Sequence, residues 1–272
     1  MLSIPPSRVI IVDSSDESPD LPLITSKFQI DFFHTNLNSA ARQRNFGLRS
    51  IKNLKASYSY VSFIDDDVRV DSNYFERVIA IFEAHADAVG VSGVALNEFY
   101  SQRKRSWVSD AIGLTGKPCS ITAANINIPA DRDTVNLEAE WLIGCSTWKL
   151  TLLTDSIAFE EDFDNQSVFE DVIFSFRCKK LGRLICDSRI KLDHMYSPIG
   201  RSNSFEFYRS WTRNRYRLFR YDQQKSRKAF WFLQTILILE GLFNQLSKKN
   251  RDLKRARGLI RGTLDILTGD KN

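Results

Sequence analysis

The stretch YVSFIDDDVRVDSNYF, Tyr60 to Phe75, poses the problem on which the reading of this chain turns. Val61, Phe63 and Ile64 read as a buried strand. Asp65, Asp66 and Asp67 follow directly, and Arg69 is the first cation after them. Adjacent carboxylates repel one another and cost solvation energy when partly buried. Either a positive group sits against them or the loop lies wholly in water. If the strand continues, Asp65 and Asp67 point to one side and Asp66 to the other. Loops after the carboxyl ends of strands are where open α/β sheets bind ligands. A Mg2+ or Mn2+ ion held by one or two carboxylates, with phosphate oxygens completing its shell, fits that place. A calcium loop competes, because Asp65, Asp67, Asp71, Asn73 and Glu76 fall near EF-hand spacing. Arg69 at a ligand position, and Val70 where the sharp turn needs Gly, speak against it. A solvated turn capping the next helix is the third reading.

The flanking sequence alternates strand and helix. RVIIVDSSDESPD reads as a strand, Val9 to Val12, ending in an Asp/Ser turn. NSAARQRNFGLRSIKNL has an Asn/Ser start and helical apolar spacing, which places a helix near Ala40–Leu54. SNYFERVIAIFEAH reads as a helix capped by Ser72 or Asn73, with Phe75, Val78, Ile79 and Phe82 toward the core. AVGVSGVAL is a short apolar strand. The run Asn97 to Glu140 is polar and reads as loops with short strands. WLIGCSTWKL returns to strand character around Gly144. SVFEDVIFSFRCKKLG reads as a helix ended by Gly182, with Val172, Ile173, Phe176 and Leu181 facing inward. RLICD and IKLDHMY read as two short strands. The alternation argues for an α/β layered sheet.

A second acidic cluster lies in FEEDFDNQSVFEDVIFSFR, where Glu170 and Asp171 open the helix. Acidic residues favour helix N-termini for electrostatic reasons alone. Phe169 and Val172 nonetheless flank them with apolar bulk, and a partly buried carboxylate pair can be poised as a general base. His194 ends a strand in KLDHMYS, where it could complete a metal shell. His34 and His85 read as surface or packing residues.

Charge is distributed unevenly. The chain of 272 residues has a net charge of +5, but residues 1–200 hold 21 Lys and Arg against 27 Asp and Glu. Residues 201–257 hold 15 against 4. An acidic body thus precedes a basic segment of the kind suited to phosphates, an anionic membrane surface or nucleic acid. The four cysteines, Cys119, Cys145, Cys178 and Cys186, form no zinc spacing, and Cys178 and Cys186 read as buried thiols of a protein in a reducing cytosol. The start MLSIPPSRVIIVD lacks the basic and apolar regions of a secretory signal.

VIIVDSSDES, RQRNFGL, VSFIDDDVRVDSNYF, FEEDFDNQSVFEDVIFSFRCKKLG and LDHMYS, in this order from Arg8 to Ser197, resemble the inverting GT-A glycosyltransferases of the family 2 type. The resemblance implies an α/β fold with a mixed, mostly parallel sheet flanked by helices and a helical C-terminal extension. It implies a catalytic domain over residues 1–200, and the residues after it read by themselves as a basic helical region over 201–272. The implied activity is transfer of a hexosyl or deoxyhexosyl group from a nucleotide-diphosphate sugar, with inversion, to an acceptor hydroxyl of a lipid-linked or cell-surface glycan. The DXD aspartates Asp65 and Asp67 would hold Mn2+ or Mg2+ with His194 as a further ligand. Asp13, Arg44, Asp65 and Asp66 would bind the donor nucleotide sugar. Asp171 would be the base and Glu170 would orient it or the acceptor. One base suffices for attack from the opposite face, and a cation offsets charge on the departing diphosphate. Family members usually open with one more strand, central in the sheet, and one more helix. Here eight residues precede Val9, and the expectation is a reading frame that extends upstream.

The basic segment has three readings. It packs on the catalytic domain with charges in water, or it meets a membrane, or it binds single-stranded nucleic acid. The last has no recognisable module and is set aside. In the membrane reading, residues 205–260 lie at the inner face of the cell membrane. The helix around Ala229–Phe243 then sits in the interface, with Arg227, Lys228, Lys248 and Lys249 toward headgroups. The protein would be cytoplasmic and peripheral, serving polysaccharide biosynthesis. Two rivals stand beside the transferase reading: a metal-dependent nucleotidyltransferase, which gives Glu170, Asp171 and His194 no clear task, and a non-catalytic nucleotide-sugar binder.

Overall fold

The strand that leads into the aspartates is short. β3 spans Tyr60–Ser62 and pairs antiparallel with β7, Ser146–Lys149. In the computed structural model, residues 2–16, 28–54, 58–96, 135–153, 157–163, 167–195, 203–223, 225–246 and 253–269 are described. The stretch 97–134, Cys119, Lys248 and Lys249 lie outside the described residues. The chain divides into two compact units, Met1–Gln102 with Pro129–Tyr196, and Arg103–Ile128 with Ser197–Asn272.

The first unit holds β1 (Arg8–Asp13), β2 (Gln29–His34), α1 (Ala40–Asn53), β3, β4 (Val68–Val70), α2 (Tyr74–Ala84), β5 (Ala88–Ala95), β6 (Leu137–Ala139), β7, α3 (Glu170–Cys178) and β8 (Arg183–His194). A six-stranded sheet runs β3-β7-β5-β8-β4, with β6 also on β8. β5 is its centre. Its run AVGVSGVA is buried from Ala88 to Val94, as expected of a strand covered on both faces. Gly93 is required there, because a Cβ would stand 2.1 Å from the Ile190 carbonyl oxygen on β8. Tyr74, Val78, Ile81 and Phe82 of α2 pack with Val91, Ile185, Ile190 and Leu192 into one core. Phe75 and Ile79, expected on that face, are only half-buried, so the buried stripe is rotated toward Tyr74 and Ile81.

Three expectations need correction. Among the described residues the sheet is mixed but not mostly parallel: β1·β2 and β5·β8 pair parallel, while β3·β7, β5·β7, β4·β8 and β6·β8 pair antiparallel. The strand–helix alternation suggested crossover helices throughout, yet β4 and β6 both return onto β8 antiparallel. RLICD and IKLDHMY form one strand of 12 residues, because Asp187 is fully buried and accepts from Arg189 instead of opening a turn. Leu181 is 43% exposed, since a 3-10 turn over Lys179–Leu181 ends α3 and swings it outward. Gln29–His34 forms a further strand.

β1 and β2 form a separate two-stranded sheet. Arg8 at its start ion-pairs with Asp31 and hydrogen-bonds the Tyr58 side chain, two residues ahead of β3. Among the described residues no strand pairs with the second edge of β1 or of β3. The opening strand that the resemblance treats as central has no counterpart between them among those residues.

The second unit contains α4 (Ser204–Arg217), α5 (Arg227–Leu246) and α6 (Leu253–Thr268). Part of its basicity is internal. Arg215 is fully buried, lies 4.3 Å from the Trp211 and Phe230 rings, and donates to Gln234 Oε1 at 2.6 Å. Arg209 and Arg261 both pair with buried Asp265. Gln234, a polar interruption in an apolar run, is a buried hub that donates to the Leu259 carbonyl and Thr263 Oγ1.

Candidate active site

The positive group that the three aspartates call for is Arg44. Ser39 caps α1, with its hydroxyl accepting from Arg42 N, and Ala41, Asn45 and Leu48 bury one face of the helix. Arg44 leaves the adjoining side. Its Nη2 donates to Asp65 Oδ1 at 2.7 Å and its Nη1 donates to Glu170 Oε1. The guanidinium also lies 5.4 Å from the Phe159 ring centroid. Gly144 makes room, because a Cβ there would be 2.9 Å from Arg44 Nη2. One cation therefore ties the loop after β3 to the start of α3.

Burial sets the electrostatics and Arg44 counters it. Burial would lower the Arg44 guanidinium, but Asp65 and Glu170 outweigh it and hold it above its ordinary value. Burial pushes Asp65 up, and Arg44 reverses this, leaving it below the usual carboxylate range. Glu170 stays above that range, because its burial exceeds the pull of Arg44. Asp171 rises well above it, first through burial and then through the neighbouring Glu170 charge. A carboxyl so raised suits a general base near neutral pH. Asp171 Oδ1 also accepts from Val172 N at 2.8 Å, which fixes its rotamer at the helix start.

Asp67 turns to a different partner. β4 pairs antiparallel with β8 and sets Val68 opposite His194. Met195 N donates to the Asp67 carbonyl at 2.7 Å, and His194 Nε2 stands 3.0 Å from Asp67 Oδ1. β3 ends at Ser62, and Asp66 stands exposed in the turn between Asp65 and Asp67. The link between the two acidic clusters is Arg44, which donates to Asp65 and to Glu170. Asp13 ends β1. Its Oδ2 accepts from Ser15 Oγ at 2.7 Å and meets His34 Nδ1 at 3.0 Å. Gln43, beside Arg44 on α1, donates to the Val12 carbonyl and Ser14 Oγ.

Of the expected metal ligands, the structure brings Asp67 and His194 into contact and commits Asp65 to Arg44. Among the described residues no group of three or more His, Cys, Asp or Glu is placed to hold a metal ion. A carboxylate with an adjacent imidazole is a partial donor set that fits a divalent cation whose remaining ligands come from phosphate and water.

Several participants escaped the sequence reading. His34 reads as a packing residue but faces Asp13. Cys145 lies beneath Asp65, accepting from its backbone N–H at 3.4 Å, and burial pushes its thiol up to about 12. Phe159, Phe63 and Phe174 form a wall under Arg44, with Phe159 and Phe174 stacked at 3.9 Å. The common signal of these three phenylalanines, an aromatic residue within three positions of an acidic one, is too frequent to single them out.

No curated protein matches the chain in sequence. The crystal structure of S. aureus TarS 1-349 is similar in fold, with a TM-score of 0.51 at 15% identity, over 96% of this chain and 73% of that one. The crystal structure of GalNAc-T7 with UDP, GalNAc and Mn2+ is similar with a TM-score of 0.53 at 10% identity, over 96% of this chain and 51% of that one. This chain thus spans about half the length of the second. Residues 3–137 match the sequence model described as Glycosyl transferase family 2. Residues 3–137, just under half of the chain, carry the similarity to glycosyl transferase family 2, and with the shared fold this supports a glycosyl transfer role.

Proposed function

We propose that the chain is a metal-dependent, inverting transferase that moves a hexosyl or deoxyhexosyl group from a nucleotide-diphosphate sugar to an acceptor hydroxyl. The observation that carries this is the Arg44 guanidinium joined to both Asp65 and Glu170, which makes one site of a donor-side loop and a base-side helix. Residues 1–200 form the catalytic domain in this reading and 201–272 the accessory region. Asp171 takes the acceptor proton as the hydroxyl attacks the anomeric carbon from the face opposite the diphosphate. Glu170, fixed by Arg44, keeps α3 and hence Asp171 in place. Asp13, Asp65 and Asp66 bind the donor, Asp13 and its partner His34 at the nucleoside end. Arg44 acts on the donor through Asp65. Asp67 and His194, with Asp65 adjacent, would hold the Mn2+ or Mg2+. An imidazole beside the carboxylate favours Mn2+, since Mg2+ is the harder cation. When bound, the ion offsets the charge that develops on the diphosphate. Mn2+ with a nucleotide diphosphate in the GalNAc-T7 structure supports this choice.

The acceptor in this reading is lipid-linked or part of a cell-surface glycan, reached at the inner face of the membrane. Phe232, Leu239 and Leu242 are exposed at 62, 46 and 42%, and their spacing puts them on one outward stripe of α5. Arg227 and Lys228 stand exposed at its start. Leucines for the acyl boundary and cations for anionic headgroups match a peripheral membrane face. Among the described residues no helix is long and apolar enough to cross a membrane.

The test is turnover of a panel of nucleotide-diphosphate sugars with Mn2+, comparing the native protein with Asp171→Asn and following product configuration by NMR. Inverted product, lost in Asp171→Asn, is expected. Retained configuration overturns the inverting mechanism. Pyrophosphate release from a nucleoside triphosphate and a sugar phosphate would mark a nucleotidyltransferase. Donor binding without turnover would mark a binder.

A further inference from the structure

The turn that presents Glu170 and Asp171 is held in an unfavourable shape. Ser167 has φ 48° and Phe169 has φ 81°, so two residues other than glycine adopt left-handed backbone within three positions. Glu170 N donates to the Ser167 carbonyl at 3.0 Å, closing a four-residue turn whose third residue, Phe169 at ψ 8°, has type II dihedrals. That position ordinarily takes glycine. Left-handed backbone at bulky residues persists only when its surroundings over-determine it. Phe169 is buried, and that burial is one such constraint.

The second constraint comes from α1. The Ser167 side chain is fully buried, and its Oγ lies 2.7 Å from the Oγ of Ser39, the N-cap of α1. The same Oγ accepts from Ala41 N at 3.3 Å. One turn further along α1, Arg44 reaches Glu170. Thus α1 grips the turn at two points, through Ser167 at its N-terminus and through Glu170 beyond it.

We propose that Ser167 is a positioning residue: its hydroxyl, latched to Ser39 and to the first turn of α1, holds the strained turn so that Asp171 is correctly aimed. This rests on the reading of Asp171 as the base. Without the latch Arg44 still holds Glu170, but the backbone between Ser167 and Glu170 is free to relax toward ordinary dihedrals. The carboxylate next in line then loses its aim.

Three substitutions and two readouts test it. Ser167→Gly keeps the left-handed backbone accessible and removes the hydroxyl together with its Cβ. Ser39→Ala removes the other half of the latch, and Ser167→Ala removes the hydroxyl while keeping the Cβ. Transfer kinetics and thermal shift by UDP with Mn2+ are measured for each. Ser167→Gly is expected to lower kcat at least about tenfold, since misplacement near 1 Å costs on the order of a hundredfold. Its UDP shift should stay native, while the loss of two buried hydrogen bonds lowers its melting temperature. Ser39→Ala should lower kcat similarly, the double variant should be no worse than either single one, and Ser167→Ala should lower kcat at least as far as Ser167→Gly. Ser167→Gly with kcat within twofold of native overturns the latch. So does a loss of the UDP shift that parallels the loss of kcat in all variants. Should Ser167→Gly not fold, native kcat in Ser39→Ala decides against the proposal. If Asp171→Asn keeps its activity, the base assignment fails instead, whatever the serine variants do.

Discussion

Replacing Arg44 with methionine isolates the interaction on which the site depends. Methionine keeps an apolar stem against Phe159 and deletes the guanidinium. The Arg44 and Glu170 side chains are 10% and 11% exposed, so Glu170 is left buried without its partner. Asp65 is 42% exposed and is rescued partly by water. Breaking a buried pair by removing one member costs about 3–5 kcal/mol, and solvent screening at Asp65 places the expected loss near the lower end, about 3 kcal/mol. That corresponds to a fall in melting temperature of roughly 6–12 °C for a protein of this size. The pH dependence has a definite sign. Glu170 already lies above the ordinary range and rises further without Arg44. A carboxyl raised in the folded state stabilises it when protonated, and that contribution is lost as pH climbs from about 4 through the folded value. Asp65, held low in the native protein, contributes stability above the ordinary carboxylate range, and the variant forfeits it. The deficit of Arg44→Met should therefore be largest at pH 8 and smaller at pH 5. Urea unfolding at the two pH values measures it. An equal deficit at both, or none, refutes the claim that Arg44 neutralises these carboxylates.

Three further outcomes follow from the geometry. Gly144→Ala places a methyl 2.9 Å from a guanidinium pinned on two sides, so it should cost about 1–3 kcal/mol of stability in the same urea assay. Asp67→Asn and His194→Ala should each weaken the Mn2+ dependence of the UDP-induced thermal shift while leaving the melting temperature without ligand nearly native. A shift equally dependent on Mn2+ in both variants removes them from the metal site. Phe232→Ser combined with Leu239→Ser should abolish co-sedimentation with vesicles containing anionic lipid and leave transfer to a soluble acceptor intact, whereas undiminished binding rejects the α5 stripe as the membrane face.

The elements legible in the sequence were those whose signal is local. The strand into Asp65, the amphipathic helix from Glu170 and the buried β5 run each carry their periodicity within a dozen residues. β2 was not legible, because QIDFFH mixes a charged Asp31 into an apolar run and its partner Arg8 lies far upstream. β4 is three residues long, and its role is set by the distant His194 opposite Val68. The candidate residues were chosen by type, and their pairing was not legible. RQRNFGL puts Arg44 among the candidates, but nothing near it tells that its guanidinium joins Asp65 to Glu170. The basic tail misled in part for the same reason, since Arg215 is paired with rings and an amide inside its own helical unit, not exposed for a partner.

The pH profile of kcat/KM for donor turnover tests the central claim most directly, in native protein and in Asp171→Asn. A base must be deprotonated to act, so activity falls as pH drops through its pKa. Burial and Glu170 raise Asp171, so the acid limb of the native enzyme should lie well above the ordinary carboxylate value of about 4 and disappear in the variant along with most of the rate. An acid limb near 4, or one unchanged by Asp171→Asn, would contradict a site in which two acidic clusters, joined through Arg44, divide donor binding and proton removal between them.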